Sequence, residues 1–165
     1  MEGKFRPGHF IGMSEVVYRL LRITSPDSLF MGQKDFQQFS IIRKLISDFQ
    51  MPIQLVMCPT VREANGLAMS SRNVRLSPEA RDKAGVIFNI LTSGKMLFEQ
   101  KTPAKYVQDI ALDALRKVNF DPEYFEVVNG YTLEPVEHME DAEQIVACCA
   151  VKVEGVRLID NMIWK

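Results

Sequence analysis

The chain has 165 residues, 47% apolar and 25% charged, with a formal net charge of -1 at pH 7. This is ordinary globular composition, enough for one good core or for two small lobes. The near balance of charge argues against a general nucleic-acid binder, no apolar run approaches a membrane span, and no signal-peptide layout is expected.

Met1 to Ile11 is rich in Gly, Pro and charge and reads as loop, with His9 inside it. Ser14 to Ile23 carries Val16, Val17, Leu20 and Leu21 on one helical face and stops at Ser25-Pro26. Leu29-Phe30-Met31 is a short apolar run ending at Gly32. After it, Phe36, Phe39, Ile42, Leu45, Ile46 and Phe49 recur at helical spacing, with Asp35 placed to cap that helix. Ile53 to Cys58 predicts a second strand, closed by Pro59. Strand, helix and strand joined by short links predict a parallel sheet. Val61 to Arg75 lacks periodicity and predicts a long loop. Ser77-Pro78 predicts the start of a helix running to about Gln100, and Thr102-Pro103 another to about Val118. Strands follow at Tyr124 to Asn129, Ile145 to Val153 and Val156 to Ile159, the last two joined at Glu154-Gly155. The expectation is an α/β chain: a partial Rossmann-like parallel sheet, then a small α+β lobe with antiparallel strands, divided near Thr60.

Three cysteines are present, Cys58 and the adjacent Cys148 and Cys149. Neighbours in a strand point to opposite faces, so the pair is poorly placed for a bridge, and a reduced, cytoplasmic setting is expected. Cys58, at the end of an apolar strand, reads as a buried thiol. The two histidines, His9 and His138, lie far apart without cysteine neighbours, so no protein-held metal is expected. Arg62-Glu63 reads as ion-paired or exposed charge. His138 falls in the acidic stretch from Glu134 to Glu143, which reads as a solvated turn.

Two groups of residues suit phosphate. Gly32-Gln33-Lys34-Asp35 stands where a parallel strand gives way to a helix, and backbone N–H groups and the helix dipole favour an anion there. Gly32 permits close approach, Lys34 offers positive charge, and Gln38 would project from the same side as Lys34. An ordinary helix start with a solvated lysine accounts for the same four residues. The second group, Met69-Ser70-Ser71-Arg72-Asn73, places two hydroxyls and a guanidinium in a loop able to close over phosphate oxygens. A polar surface loop is the plain alternative.

Five segments occur in an order that resembles the pantothenate synthetase (pantoate–β-alanine ligase) family. They are Arg6-Pro-Gly-His-Phe10, Phe30-Met-Gly-Gln-Lys-Asp-Phe-Gln-Gln38, Pro59-Thr-Val-Arg-Glu63, Gly66-Leu-Ala-Met-Ser-Ser-Arg-Asn73 and Arg157-Leu-Ile-Asp-Asn161. The resemblance runs from about Gly3 to Asn161. It implies an ATP-dependent condensation of pantoate with β-alanine through a pantoyl adenylate. ATP would be contacted by Gly32, Gln33, Lys34, Asp35, Val61, Met69, Ser70, Ser71 and Arg72, and pantoate by Gln38. Mg²⁺ would accompany ATP, held largely by phosphate and water. The family also has a preceding segment with a His-x-Gly-His motif and a second pantoate-binding glutamine. Neither is expected in this sequence, so neither His9 nor His138 inherits that role. The 165 residues alone are expected to be inactive and, with two strands making a poor sheet, to self-associate as a homodimer or similar assembly. A non-catalytic nucleotide-binding or partner-binding module remains the alternative.

Overall fold

The computed structural model describes residues 1–165 and divides into two compact units, Met1–Pro59 and Thr60–Lys165. In the first, a short helix α1 (Glu2–Phe5) leads into α2 (His9–Thr24). The expected amino-terminal loop is therefore wrong. Gly8, at φ 76 in the left-handed region, turns the chain and precedes the first residue of α2, His9. The Gly and Pro that suggested loop occupy only that turn.

Strand β1 (Ser28–Gly32) pairs in parallel with β2 (Gln54–Cys58), in register from Ser28 with Gln54 to Gly32 with Cys58. Between them runs α3 (Phe36–Asp48), entered through a single 3-10 turn, Gln33–Asp35. Leu29, Met31 and Leu55 pack with Leu21 of α2 and with Ile42 and Ile46 of α3. Alternation along β1 sends Phe30 to the opposite face, where it is 65% exposed. The sheet has only these two strands. Cys58 is half-buried rather than buried.

The second unit opens at Thr60, with Val61 to Arg75 expected as loop. It holds instead an antiparallel bridge between Arg62 and Ala68 and a 3-10 turn at Ser71–Arg75. The single helix expected from Ser77 is two, α4 (Pro78–Lys83) and α5 (Val86–Glu99). They separate at Ala84-Gly85, next to the Arg81 and Asp82 carbonyls to which the Asn65 side chain donates, and Gly85 lies so close to the Asn65 backbone that an added Cβ would run into its carbonyl oxygen. Pro78 occupies the first turn of α4, and Ser77 caps it by accepting from the Ala80 N–H at 3.2 Å.

Helix α6 (Ala104–Lys117) and an antiparallel sheet complete this unit. The sheet has β3 (Asp121–Asn129), β4 (Ile145–Val153) and β5 (Val156–Ile163) in that order. Glu154 and Gly155 have φ 48 and 75, and Val153 pairs with Val156, so the hairpin is closed by a two-residue turn with both residues left-handed. Phe125, Val127, Ile145, Ala147, Cys149, Val151, Val156 and Leu158 join Leu91, Phe98, Val107 and Leu115 in one core. Cys148 and Cys149 are both buried and both free. The mixed α/β class, with a parallel pair followed by an antiparallel sheet, is as expected from the sequence.

Candidate functional site

In the first unit the strand-to-helix corner is built as follows. Gly32 ends β1 in an extended conformation, φ -69 and ψ 134, and the space where a Cβ would stand is open. Asp35 occupies the residue before α3, yet its side chain makes no capping bond. The amides of the first turn of α3 thus have no side-chain cap from it. Lys34 lies in the 3-10 turn rather than in the α-helix, so the expected helical spacing of Lys34 and Gln38 does not apply. Gln33, Lys34 and Gln38 are half-buried, while Gly32 and Asp35 are exposed. Adjacent Gln37 turns inward, and its Oε1 accepts from the Glu2 N–H at 3.1 Å. That bond ties α1 to α3 and leaves Gln38 as the other glutamine of the pair.

In the second unit, Val61 and Met69 are brought together. The Met69 N–H donates to the Val61 carbonyl at 2.9 Å, and the Glu63 N–H to the Leu67 carbonyl at 2.8 Å. Around a bridge at Arg62 and Ala68, this register puts the side chains of Val61 and Met69 on one side and those of Arg62 and Ala68 on the other. Val61 and Met69 are 67% and 54% exposed, whereas Ala68 is buried. Ser70 and then the exposed Ser71 and Arg72 follow directly. The Ser70 hydroxyl accepts from the Arg72 N–H at 3.2 Å and fixes the start of the 3-10 turn. Apolar, hydroxyl and guanidinium groups therefore share one small hairpin.

Arg62 and Glu63 of that hairpin each make an ion pair with a residue distant in sequence. Arg62 reaches Asp160 of β5 through two parallel bonds, Nη1 to Oδ2 at 2.6 Å and Nη2 to Oδ1 at 3.0 Å. Its guanidinium carbon lies 4.0 Å from the centroid of the Phe88 ring, and Nη1 also donates to the Gly66 carbonyl at 3.0 Å. Glu63 accepts from Arg81 Nε at 2.8 Å, Arg81 Nη2 at 3.0 Å and Asn73 Nδ2 at 2.7 Å. The bonds from Arg81 and Asn73 hold the Glu63 carboxyl below its ordinary range, while the same ion pair raises Arg81. The amide of Asn65 donates to the carbonyls of Arg81 and Asp82, both at 2.9 Å, closing the end of α4. Of the two expectations for Arg62-Glu63, ion-paired or exposed charge, the structure has both residues ion-paired, each with a distant partner rather than with the other. The only sequence signal for Asp160 was its place in the Arg157–Asn161 segment.

A family model described as Pantoate-beta-alanine ligase matches residues 1–163. The chain belongs to that family. Among curated members of the ligase family, the pantothenate synthetase of Azobacteroides pseudotrichonymphae is 41% identical over 168 residues, 99% of this chain and 59% of the relative. That of Porphyromonas gingivalis is 40% identical over 165 residues, 100% of this chain and 59% of the relative. The solved pantothenate synthetase of Thermus thermophilus has TM-score 0.90 and 37% identity, covering 99% of this chain and 59% of that one. A pantoate-β-alanine ligase from Francisella tularensis, solved in complex with beta-gamma ATP and beta-alanine, has TM-score 0.72 and 31% identity, covering 99% and 54%. The chain therefore spans about three-fifths of the length of the curated relatives it matches.

Proposed function

We propose that this chain supplies the ATP-holding corner and the phosphate-closing hairpin of a pantothenate synthetase. The observation that carries this reading is the family match over residues 1–163. In this reading residues 1–60 form part of the nucleotide-binding domain and residues 61–165 the small lobe that covers the phosphates. A carboxylate is a poor electrophile, so the reaction must first give it a leaving group. A pantoate carboxylate oxygen attacks the α-phosphorus of ATP, the bond to pyrophosphate breaks, and pantoyl adenylate forms. The β-alanine amine then attacks the acyl carbon, the bond to AMP breaks, and the amine proton is released as pantothenate forms.

Each candidate group has a task in that sequence. The backbone at Gly32–Asp35 and the Lys34 ammonium bind phosphate oxygens, and Gln38 donates to the pantoate carboxylate or hydroxyl. Val61 and Met69 offer an apolar face to the nucleotide. Ser70, Ser71 and Arg72 donate to the departing pyrophosphate, whose charge grows as the bond breaks. Mg²⁺ enters with ATP as part of the substrate. The chain has no group of three or more His, Cys, Asp or Glu side chains placed to hold a metal, and phosphate with water is the natural ligand set for that ion. No helix is long and apolar enough to cross a membrane. With free thiols throughout, a cytoplasmic setting fits the reading.

The test is a chimaera in which residues 1–165 replace the aligned part of the Thermus thermophilus enzyme. It should exchange labelled pyrophosphate into ATP only when pantoate is present, and form pantothenate when β-alanine is added. A folded chimaera that binds ATP but shows no pantoate-dependent exchange would leave a non-catalytic nucleotide-binding module as the better reading. The isolated 165-residue polypeptide, which contains no His-x-Gly-His sequence, should make no pantothenate.

Self-association belongs to the same proposal. In the first unit Val16, Leu20 and Ile23 of α2 are 58%, 54% and 79% exposed, spaced to share one helical face. On β1, Phe30 is also exposed, and the sheet that carries it has only two strands, so its edges are open to pairing. Sedimentation velocity on the isolated chain should show dimers or larger species at high concentration, and a monomer throughout the range would defeat the idea.

A further inference from the structure

The turn that carries Ser70, Ser71 and Arg72 is tied down at both ends. Before it stands the Met69 to Val61 backbone bond; after it stands Asn73, which is only 1% exposed. The Asn73 amide nitrogen donates twice, to Glu63 Oε1 at 2.7 Å and to the Ala68 carbonyl at 3.1 Å. Both acceptors lack a proton to give, so the amide can be oriented only this way round. The backbone N–H of Asn73 also donates to the Ser70 carbonyl at 3.1 Å, and its backbone carbonyl accepts from the Leu76 N–H at 3.2 Å. Glu63 in turn is gripped by the fork of Arg81 from α4.

We propose that Asn73, braced by Glu63 and Arg81, is the positioning residue that sets the Ser70–Arg72 turn for its phosphate. This deepens the reading above and rests on it. Asn73 touches no substrate in this scheme; it acts through the turn. Among uncharged side chains, only an amide can serve both acceptors from one atom. A carboxylate would bring repulsion against Glu63, and a hydroxyl has a single proton to donate. The Asn73 Oδ1 meanwhile is buried with no hydrogen-bond partner in the protein. An idle buried acceptor is a cost to folding that offsets part of what the two donated bonds contribute, while those bonds fix the geometry of the turn.

Two measurements on Asn73→Ala decide it. In the 165-residue chain, amide hydrogen exchange at Arg72 and at residue 73 should speed up about tenfold or more, with the amides of β4 unchanged, because local and global opening are separable. In the chimaera, KM for ATP or kcat of pyrophosphate exchange should worsen about tenfold or more while KM for pantoate stays within about twofold. Asn73→Ser, keeping one donor, should fall between the two. Should Asn73→Ala fail to fold, Arg81→Met removes the brace from a half-exposed position and should produce the same two effects in weaker form. Unchanged exchange at the turn overturns the proposal. So does a loosened turn with unaltered kinetics toward ATP. A wild-type chimaera without pantoate-dependent activity defeats the functional reading instead, and hydrogen exchange then decides alone whether Asn73 orders the turn.

Discussion

Replacing Arg62 by Met should destabilise the second unit by about 3–5 kcal/mol, the usual loss when one member of a buried ion pair is removed. On β5 the residues Val156, Leu158 and Met162 face the helical layer, and Asp160 shares their alternation. The Asp160 side chain is only 3% exposed, against 18% for Arg62. Without the guanidinium, the carboxylate loses both parallel bonds and its counter-ion, and it retains the N–H of Asn161 at 2.8 Å. Loss of a bidentate guanidinium from so deeply buried a carboxylate is what makes the effect large. The Phe88 face loses its cation at the same time. For a domain of this size the melting temperature should fall by roughly 12 °C or more, read by calorimetry. The double replacement Arg62→Met with Asp160→Leu should recover much of it, since apolar groups of similar volume substitute well for a buried pair. A single-variant loss within about 1 kcal/mol would mean that the pair behaves as a screened surface bridge.

The second large effect is expected at Arg72. Replacing it by Ala in the chimaera should lower kcat of pantoate-dependent exchange about 10²–10³-fold, the range seen when one donor to developing charge is removed. Arg72 is exposed, and its backbone, not its side chain, anchors the turn through Ser70. The fold should therefore be untouched, and the melting temperature should stay within about 2 °C, as for ordinary surface replacements. Lysine should rescue only in part, since it keeps the charge but not the planar fork. A change in kcat below about threefold would remove Arg72 from the chemistry.

How much of this was legible follows from where the causes lie. Strand β4 could be bounded at Ile145 and Val153 because its apolar run is nearly continuous and the Glu154-Gly155 turn marks its end. Helix α3 was legible from Phe36, Phe39, Ile42 and Ile46 at one spacing. The break between α4 and α5 was not, because the Asn65 amide that donates to the Arg81 and Asp82 carbonyls there comes from 16 and 17 positions away. Asp160 as the partner of Arg62 lies 98 positions away, and no window along the chain could join them. Helix α1 and the first residues of α2 were missed for the opposite reason, since Pro7 and Gly8 make a strong local signal that covers only a turn, whereas the helical face from Ser14 to Ile23 is legible as such. Of the candidate site, the residue types could be read directly. The shared side of Val61 and Met69 could not, because it depends on the register of a bridge.

Trp164 is the one tryptophan in the chain, buried at 3% exposure and wedged between Phe98, Phe125 and Gly94. Its intrinsic fluorescence consequently reports on packing inside the Thr60–Lys165 unit. A chemical melt followed by that emission and, in parallel, by far-ultraviolet dichroism would separate the two halves spectroscopically, with no dye or label attached.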